Sequence, residues 1–415
     1  HIDKNLLFIG TEYGIYFSPN RGENWIKMDS GVPTIPFRDL EIHKEEDDLV
    51  GASFGRGFYI LDDYSALRSI NSLVSSGSNT LLEMKDAWWY IPNEPLQAKG
   101  MPSQGSSNYV AENGPFGAII HYYIDEVPQT SKQQRKKNEI EQRNQNASVP
   151  FPGWESLDEE NRELDPEVLV LISTSEGEEI RWLEGNSSKG LHRLNWDLRY
   201  PSTAPINLTK PNFVPPWAGE SKGPMVAPGL YQAELFVFHK GELKSQGKSQ
   251  SFEVKAIPSI GDVIDHQSAE KFRVSTSELS RQISSSSRMI NESNDRLRHI
   301  KVALIKTPKA DQELMSTYET LRSDLAELRK VLNGDQVRSN LNESSSPSIN
   351  TRVGNVIYGH WKTSIEPTDT HKKSIEIASQ EYEAFLIEMK NFMDRMEAFE
   401  TELEKAGAPW TKGRR

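Results

Sequence analysis

Short runs of apolar residues, separated by turns rich in Gly, Asn and Pro, dominate the first 63 residues of the chain. Within these runs the apolar residues alternate with polar ones or stand in small groups, as they do in short β-strands. The runs that predict strands are 6–10, 14–17, 25–28, 37–43, 48–53 and 57–63. Short strands joined by tight turns predict an antiparallel meander.

A second set of apolar runs predicts an immunoglobulin-like or fibronectin-like β-sandwich over residues 115–258. Its predicted strands are 116–124, 167–172, 179–183, 190–199, 229–237 and 251–254. A polar insertion at 128–166, which contains a run of basic and amide residues, is expected to be a solvated or mobile excursion. Residues 71–114 are interpreted as a linker. Its aromatic triplet Trp88-Trp89-Tyr90 could stack on a sugar ring, although an anchor onto the next domain is the favoured interpretation.

Beyond Pro258 the apolar residues recur every three or four positions, which predicts helices with coiled-coil-like seams. The seam residues are Leu279, Ile283, Ile290, Leu297 and Leu304, then Leu314, Tyr318, Leu321, Leu325, Leu328 and Leu332, and then Ala378, Tyr382, Phe385, Met389, Phe392, Met396, Phe399 and Leu403. A Ser/Asn-rich loop at 339–350 and an irregular stretch around Trp361 precede the third helix. We expect an antiparallel three-helix bundle over 266–406 and a tail at 407–415, so the predicted fold class is multidomain β plus α.

The overall composition argues against several classes of partner. The 415 residues carry a net charge of −12 and no basic stripe, so nucleic acid is not an expected partner. The absence of cysteine excludes disulfides and thiolate metal sites. No apolar run approaches the roughly 20 residues of a membrane span, and no motif indicates a cofactor.

One turn in the first strand region has a recognisable pattern, Ser-x-Asn-x-Gly-x-x-Trp, at Ser18, Asn20, Gly22 and Trp25. The Ser and Asn side chains can bond to nearby backbone amides, and glycine permits positive φ. The indole of Trp25 is expected to plug the core of the strand unit. Because this pattern serves the geometry of the turn, we expect a structural role rather than contact with a ligand.

This turn resembles the Asp-box (BNR) hairpin of sialidases, sortilins and related propellers, with Asn20 in place of the commoner Asp. Residues 38–43 (RDLEIH) and 55–63 (GRGFYILDD) resemble the closing segment of large bacterial Asp-box proteins that are described as sortilin-like or as glycosyl hydrolases. The likeness extends to 190–200 and 407–411. It implies that residues 1–70 are the last strands of a propeller whose other blades lie upstream. It also implies an exported parent, extracellular or periplasmic.

The sequence offers few candidates for chemistry. Glycoside hydrolysis needs two carboxyl groups about 5–9.5 Å apart, but Asp62 and Asp63 are neighbours on a predicted strand and would face opposite ways. Arg38 and Arg56 are the ligand-binding candidates, and Arg56 between two glycines would project from a tight turn. The histidines at 43, 121, 192 and 360 are scattered, so no metal site is expected.

Two functional hypotheses remain open. The first is a non-catalytic scaffold that binds a protein, peptide or glycan through the propeller face and braces or oligomerises its parent through the helical bundle. The alternative is the accessory C-terminal half of a glycoside hydrolase whose catalytic carboxylates lie upstream. A carboxylate pair in the upstream blades would favour the hydrolase, because an Asp-box fold alone does not fix function.

Overall fold

The computed structural model describes residues 2–92, 107, 113–209, 213–215, 221–258 and 264–413. The chain is mixed β and α, with a curled half-barrel sheet and a C-terminal helical region. It divides into two compact units. The first, called here the β unit, comprises residues 1–89, 109–198 and 229–256, and the second, the helical unit, comprises 90–108, 199–228 and 257–415.

The β unit begins with two three-stranded antiparallel sheets, β1-β2-β3 and β4-β5-β6. Their strands are β1 (Leu7–Thr11), β2 (Gly14–Ser18), β3 (Ile26–Met28), β4 (Phe37–His43), β5 (Asp48–Ser53) and β6 (Phe58–Leu61). The two sheets share a core around Ile15, Phe37 and Leu49. At Gly51 an added Cβ would lie 2.9 Å from the Ile15 side chain and 3.0 Å from the Phe37 ring, so any larger residue would force these side chains to shift. The six predicted strands are confirmed.

The segment after β6, which includes the first part of the predicted linker at 71–114, holds regular structure. A 3-10 helix (Ser65–Ser69) leads into α1 (Ile70–Ser76), β7 (Thr80–Leu81) and β8 (Ala87–Trp89). Trp89 is buried, while Trp88 and Tyr90 are each more than two-fifths exposed. The Gly/Ser/Gln-rich stretch that follows lies mostly outside the described residues.

Two further sheets complete the β unit. One has the order β11-β10-β13-β15-β8 with β14 paired to β13, and the other has the order β12-β9-β7. The additional strands are β9 (Ala118–Ile124), β10 (Glu167–Thr174), β11 (Glu179–Gly185), β12 (Gly190–Trp196), β13 (Gly229–His239), β14 (Glu242–Ser245) and β15 (Gln250–Ala256). All of these pairings are antiparallel except that of β15 with β8.

A buried tryptophan links these two sheets. Trp196 of β12 is fully buried, and its ring lies edge-on to Tyr231 of β13 and Phe252 of β15, at centroid distances of 5.4 and 6.0 Å. The backbone at Gly117 passes so close that an added Cβ would lie 2.0 Å from the Trp196 carbonyl oxygen. The centre of this core is therefore fixed by one large side chain and one glycine.

The polar insertion at 128–166, expected to be a solvated or mobile excursion, contains two helices. It forms α2 (Ser131–Asn144) and α3 (Trp154–Arg162). A capping box starts α2, because the Thr130 side chain accepts from the Gln133 amide and the Gln133 side chain accepts from the Thr130 amide. The Arg135 guanidinium, bonded to Glu160 at 2.7 and 2.8 Å, ties α2 to α3.

In its described residues, the helical unit contains three long helices and two short ones. They are α4 (His266–Ile305), α5 (Gln312–Asn333), α6 (Gln336–Asn340), α7 (Ile349–His360) and α8 (Asp369–Lys405). Every seam residue predicted for α5 and α8 is buried. Helix α7 replaces part of the loop and irregular stretch expected before the third helix, and packs against α4, α5 and α8. In the predicted tail, Ala408 and Thr411 are buried.

Among the described residues, no helix is both long enough and apolar enough to cross a membrane.

Candidate functional site

The turn at residues 18–25 closes through side-chain hydrogen bonds to its own backbone. The buried Ser18 hydroxyl accepts from the Gly22 amide at 2.7 Å and donates to Asn20 Oδ1 at 3.0 Å. Asn20 Oδ1 also accepts from the Asn24 amide at 3.0 Å. These are the roles that the motif predicts for Ser18 and Asn20, and an aspartate at position 20 would offer the same acceptor.

The glycine and tryptophan of the turn lie against each other. Gly22 has φ +92°, and Trp25 passes within van der Waals distance of the place a Gly22 Cβ would occupy. The indole does not plug the core, because Trp25 is 42% exposed. It covers the outside of the turn, which corrects the buried position expected from the sequence.

The two candidate arginines lie on or beside the β4-β5-β6 sheet. Arg56 is exposed on the loop between β5 and β6, between Gly55 and Gly57, which both have φ near +77°. Arg38 is an exposed residue of β4 that forms an ion pair with Glu12 at 2.8 Å. Its guanidinium also lies 5.3 Å from the ring centroid of Phe54, which is 68% exposed.

The side of this sheet away from the Ile15 core presents apolar side chains to solvent. In one row across the sheet, Asp39 of β4 pairs with Ala52 of β5, which pairs with Phe58 of β6. In the next row on the same side, Glu41 pairs with Val50, which pairs with Ile60. Phe58 is 75% exposed and Ile60 is 60% exposed. We call these six residues the outer face. In the described part of the chain β6 pairs only with β5, so its other edge is open.

A cluster of charged side chains lies at the end of the sheet where β5 begins and β6 ends. Buried Asp47 receives two hydrogen bonds from Arg68, and Lys85 Nζ lies 3.0 Å from Asp47 and 3.3 Å from buried Asp63. Buried His121 of β9 lies with Nδ1 3.7 Å from Asp63 Oδ2. The cluster thus connects the segments that flank the β4-β5-β6 sheet to the sheet that contains β9.

The surroundings of this cluster shift two of its pKa values. Burial acts to raise the pKa of Asp47, but hydrogen bonds and charges from Arg68 and Lys85 outweigh it, so the pKa lies below its ordinary value. Burial lowers the pKa of His121, the charge of Asp63 opposes this, and Arg193 and Lys85 reinforce it. Asp47 is therefore held as a carboxylate and His121 as a neutral ring.

The cluster has the chemistry of a structural junction. Asp62 and Asp63 follow β6 rather than belonging to it, which corrects the expected strand position, and Asp63 has φ +51°. The Asp62 carbonyl accepts from Arg193, while the Asp63 side chain accepts from the Ser65 amide. The sequence did not single out Asp47, Arg68 or Lys85, because their contacts join residues far apart in the chain.

The histidines singled out in the sequence do not gather around a metal. His121 lies in the charged cluster, His192 contacts Tyr122, His43 ends β4 and His360 ends α7. Within the described ranges, no group of three His, Cys, Asp or Glu side chains could hold a metal ion.

Comparison with known proteins does not assign this chain to a family. No protein-family model matches it, and no curated protein is significantly similar to it in sequence.

Proposed function

We propose that this chain is a non-catalytic interaction region of an exported Asp-box β-propeller protein. In this proposal the β1-β2-β3 and β4-β5-β6 sheets are its last blade strands. The sheets over 118–256 are an immunoglobulin-like sandwich, and α4, α5 and α8 form a three-helix bundle that braces or oligomerises the parent. The parent is extracellular or periplasmic.

The outer face is the observation that carries this proposal. Phe58 and Ile60 project from an edge strand, and exposed apolar side chains on an open sheet edge mark a surface that another sheet or chain covers. The Asp-box hydrogen bonds support the same conclusion, because they reproduce the turn that joins blade strands in propellers. The proposed occupant of the outer face is a neighbouring blade of the same protein.

In this proposal the loops of the assembled propeller bind the ligand. Arg56 has the features of a contact residue, since it is exposed and stands between two glycines that let the backbone approach a ligand. Arg38 is a weaker candidate than Arg56 for contact with a ligand, because its charge is paired with Glu12 and its guanidinium lies against Phe54. The ligand class is a protein, a peptide or a glycan.

The hydrolase alternative places its catalytic carboxylates in the parent's other blades. Asp47 and Asp63, the buried carboxylates of the charged cluster, contact Arg68, Lys85 and His121 and are already engaged in joining segments of the β unit. A chromogenic-glycoside and glycan-array screen separates the alternatives. Turnover by the parent establishes the hydrolase, and binding without turnover supports the interaction region.

A binding experiment tests the outer face itself. The Asp-box blades of the parent are expressed as a separate chain, and their affinity for this chain is measured by biolayer interferometry. F58E/I60E should weaken binding at least tenfold, because burying each large apolar side chain contributes about 1.5–3 kcal/mol. The matched control is V302E/I305E, which changes two comparably exposed apolar residues of α4 and should leave affinity unchanged. Equal affinity of F58E/I60E and the unchanged chain contradicts the proposal.

A further inference from the structure

A fully buried arginine lies where α4 meets the segment that joins α7 to α8. Arg273 is 1% exposed, and its Nη2 donates to the Thr363 carbonyl oxygen at 2.7 Å. Three histidines lie near it: His266 at the start of α4, His360 at the end of α7 and His371 near the start of α8, with the His360 and His371 ring centroids 5.5 Å apart. We call these four residues the arginine–histidine cluster.

The positive charge of Arg273 lacks a carboxylate in direct contact among the described residues. The nearest acidic influence on it is Glu270, which accepts a hydrogen bond from Tyr200 at 3.1 Å. Arg199 adds a second positive charge in the neighbourhood. A buried cation is normally paired, because transferring an unpaired charge out of water is costly.

Unpartnered polar atoms concentrate in the same cluster. Arg273 Nε and Nη1, His360 Nδ1 and His371 Nδ1 are all buried and have no hydrogen-bond partner among the described residues. Buried polar atoms in native proteins are nearly always bonded, so four such atoms on neighbouring side chains indicate a shared partner. The two Arg273 nitrogens can only donate, so the partner must supply acceptor atoms.

The cluster itself also contains one hydrogen-bond acceptor, on His360. His360 Nε2 lies 3.0 Å from the Ile365 carbonyl oxygen, and since that oxygen can only accept, Nε2 carries the proton. Neutral His360 therefore presents a lone pair at Nδ1. Burial and the charge of Arg273 lower the pKa of His360 to about 4, which keeps it neutral.

We propose that the arginine–histidine cluster binds a small oxyanion, with inorganic phosphate the best match. Phosphate offers acceptor oxygens to the Arg273 N–H groups, and its own P–O–H group donates to His360 Nδ1. Its negative charge neutralises the buried guanidinium. The unpartnered atoms have almost no contact with solvent, so the ion can enter only through a local opening of the helical unit. This site is independent of the outer face.

Thermal unfolding of the full chain tests the site. Helical signal is followed in inorganic phosphate and in sodium chloride of equal ionic strength. Phosphate at ten times its dissociation constant should raise the Tm of the helical unit by about 3 °C or more, because only the folded state binds it. Arg273→Met should abolish the difference between the two salts. Arg281→Met, which alters an exposed arginine of the same helix, should retain it.

A second variant and a second measurement keep the test decisive if Arg273→Met does not fold. Arg273→Lys keeps the charge but loses the fork of donors, so its phosphate-dependent rise should be smaller. Hydrogen exchange of residues 266–276 and 357–372 should slow in phosphate only when Arg273 is present. The proposal is overturned if phosphate and chloride act alike on the unchanged chain, or if Arg273→Met responds to phosphate as the unchanged chain does.

Discussion

Asp63 Oδ2 lies 3.7 Å from His121 Nδ1, and this contact joins the segment after β6 to the middle of β9. Lys85 extends the junction, because its ammonium bridges Asp63 and Asp47. The first strands of the chain are thereby held to the rest of the β unit by charge as well as by apolar packing.

Removing the bridging cation should weaken the β unit. In Lys85→Met two buried carboxylates lose a shared partner, and we expect a loss of about 2 kcal/mol in the free energy of unfolding. Urea unfolding followed by tryptophan fluorescence measures it. The control is Lys255→Met, which breaks an exposed pair with Asp86 and should cost less than about 1 kcal/mol. Equal losses in the two variants would show that the junction contributes no more than a surface ion pair.

The helical unit should lose stability as the pH falls from about 6.5 to about 4. Burial, Arg273 and His371 lower the pKa of His360 from 6.5 to about 4. The unfolded chain therefore binds a proton in this window that the folded chain excludes, so the contribution is complete above pH 6.5 and declines below it. We expect about 3 kcal/mol from this one group.

His360→Gln removes the titrating ring and should flatten that part of the pH profile. Stability is measured by urea unfolding at several pH values in buffers without phosphate. An unchanged slope in His360→Gln would assign the pH dependence to other groups.

The turn at residues 18–25 provides a pair of contrasting expectations. Ser18→Ala leaves the Gly22 amide and Asn20 Oδ1 without their buried partner, and should cost about 1–2 kcal/mol of unfolding free energy. Asn20→Asp keeps the acceptor for the Asn24 amide and should change stability by less than about 0.5 kcal/mol. Urea unfolding of both variants measures the difference. A harmless Ser18→Ala would mean that the hydroxyl does not hold the turn.

Two glycines should respond to alanine in opposite directions. At Gly117, with φ +115°, the added methyl would lie 2.0 Å from the Trp196 carbonyl oxygen, so Gly117→Ala should cost at least about 2 kcal/mol or prevent folding of the β unit. Gly354 lies within α7 with open space around its Cα, and Gly354→Ala should stabilise the helical unit by about 0.5–1 kcal/mol. Calorimetry shows both effects, and a stabilising Gly117→Ala would contradict the close approach of its backbone to Trp196.

Elements with strong periodicity were predictable from the sequence. Strands β4 and β5 begin and end where their alternation does, and the α8 seam is buried from Ala378 to Leu403. Strands β7, β8 and β14 were missed because they have only two to four residues and depend on distant partners, as β8 does on β15. Helices α2 and α3 were missed because their polar composition hides the capping box at Thr130 and Gln133.

The arginine–histidine cluster shows where sequence reasoning stops. His360 was noticed as an isolated histidine, since nothing local relates it to Arg273 on another helix. The sequence nevertheless indicates that Arg273 is buried. The buried seam of α4 continues toward its N-terminus from Ile283 to Thr276, Arg273 and Ala269, at spacings of seven, three and four. A charged residue at a buried seam position indicates either a partner of opposite charge or a binding site.

Hydrogen exchange of β6 tests the central claim, that the outer face is covered in the parent protein. The amides of Phe58–Leu61 are followed in this chain alone and within the longer parent, with the buried strand β10 (Glu167–Thr174) as the internal reference. The account predicts that β6 exchanges faster in the isolated chain and becomes protected in the parent, while β10 is equally protected in both. Equal exchange of β6 in the two proteins would contradict it.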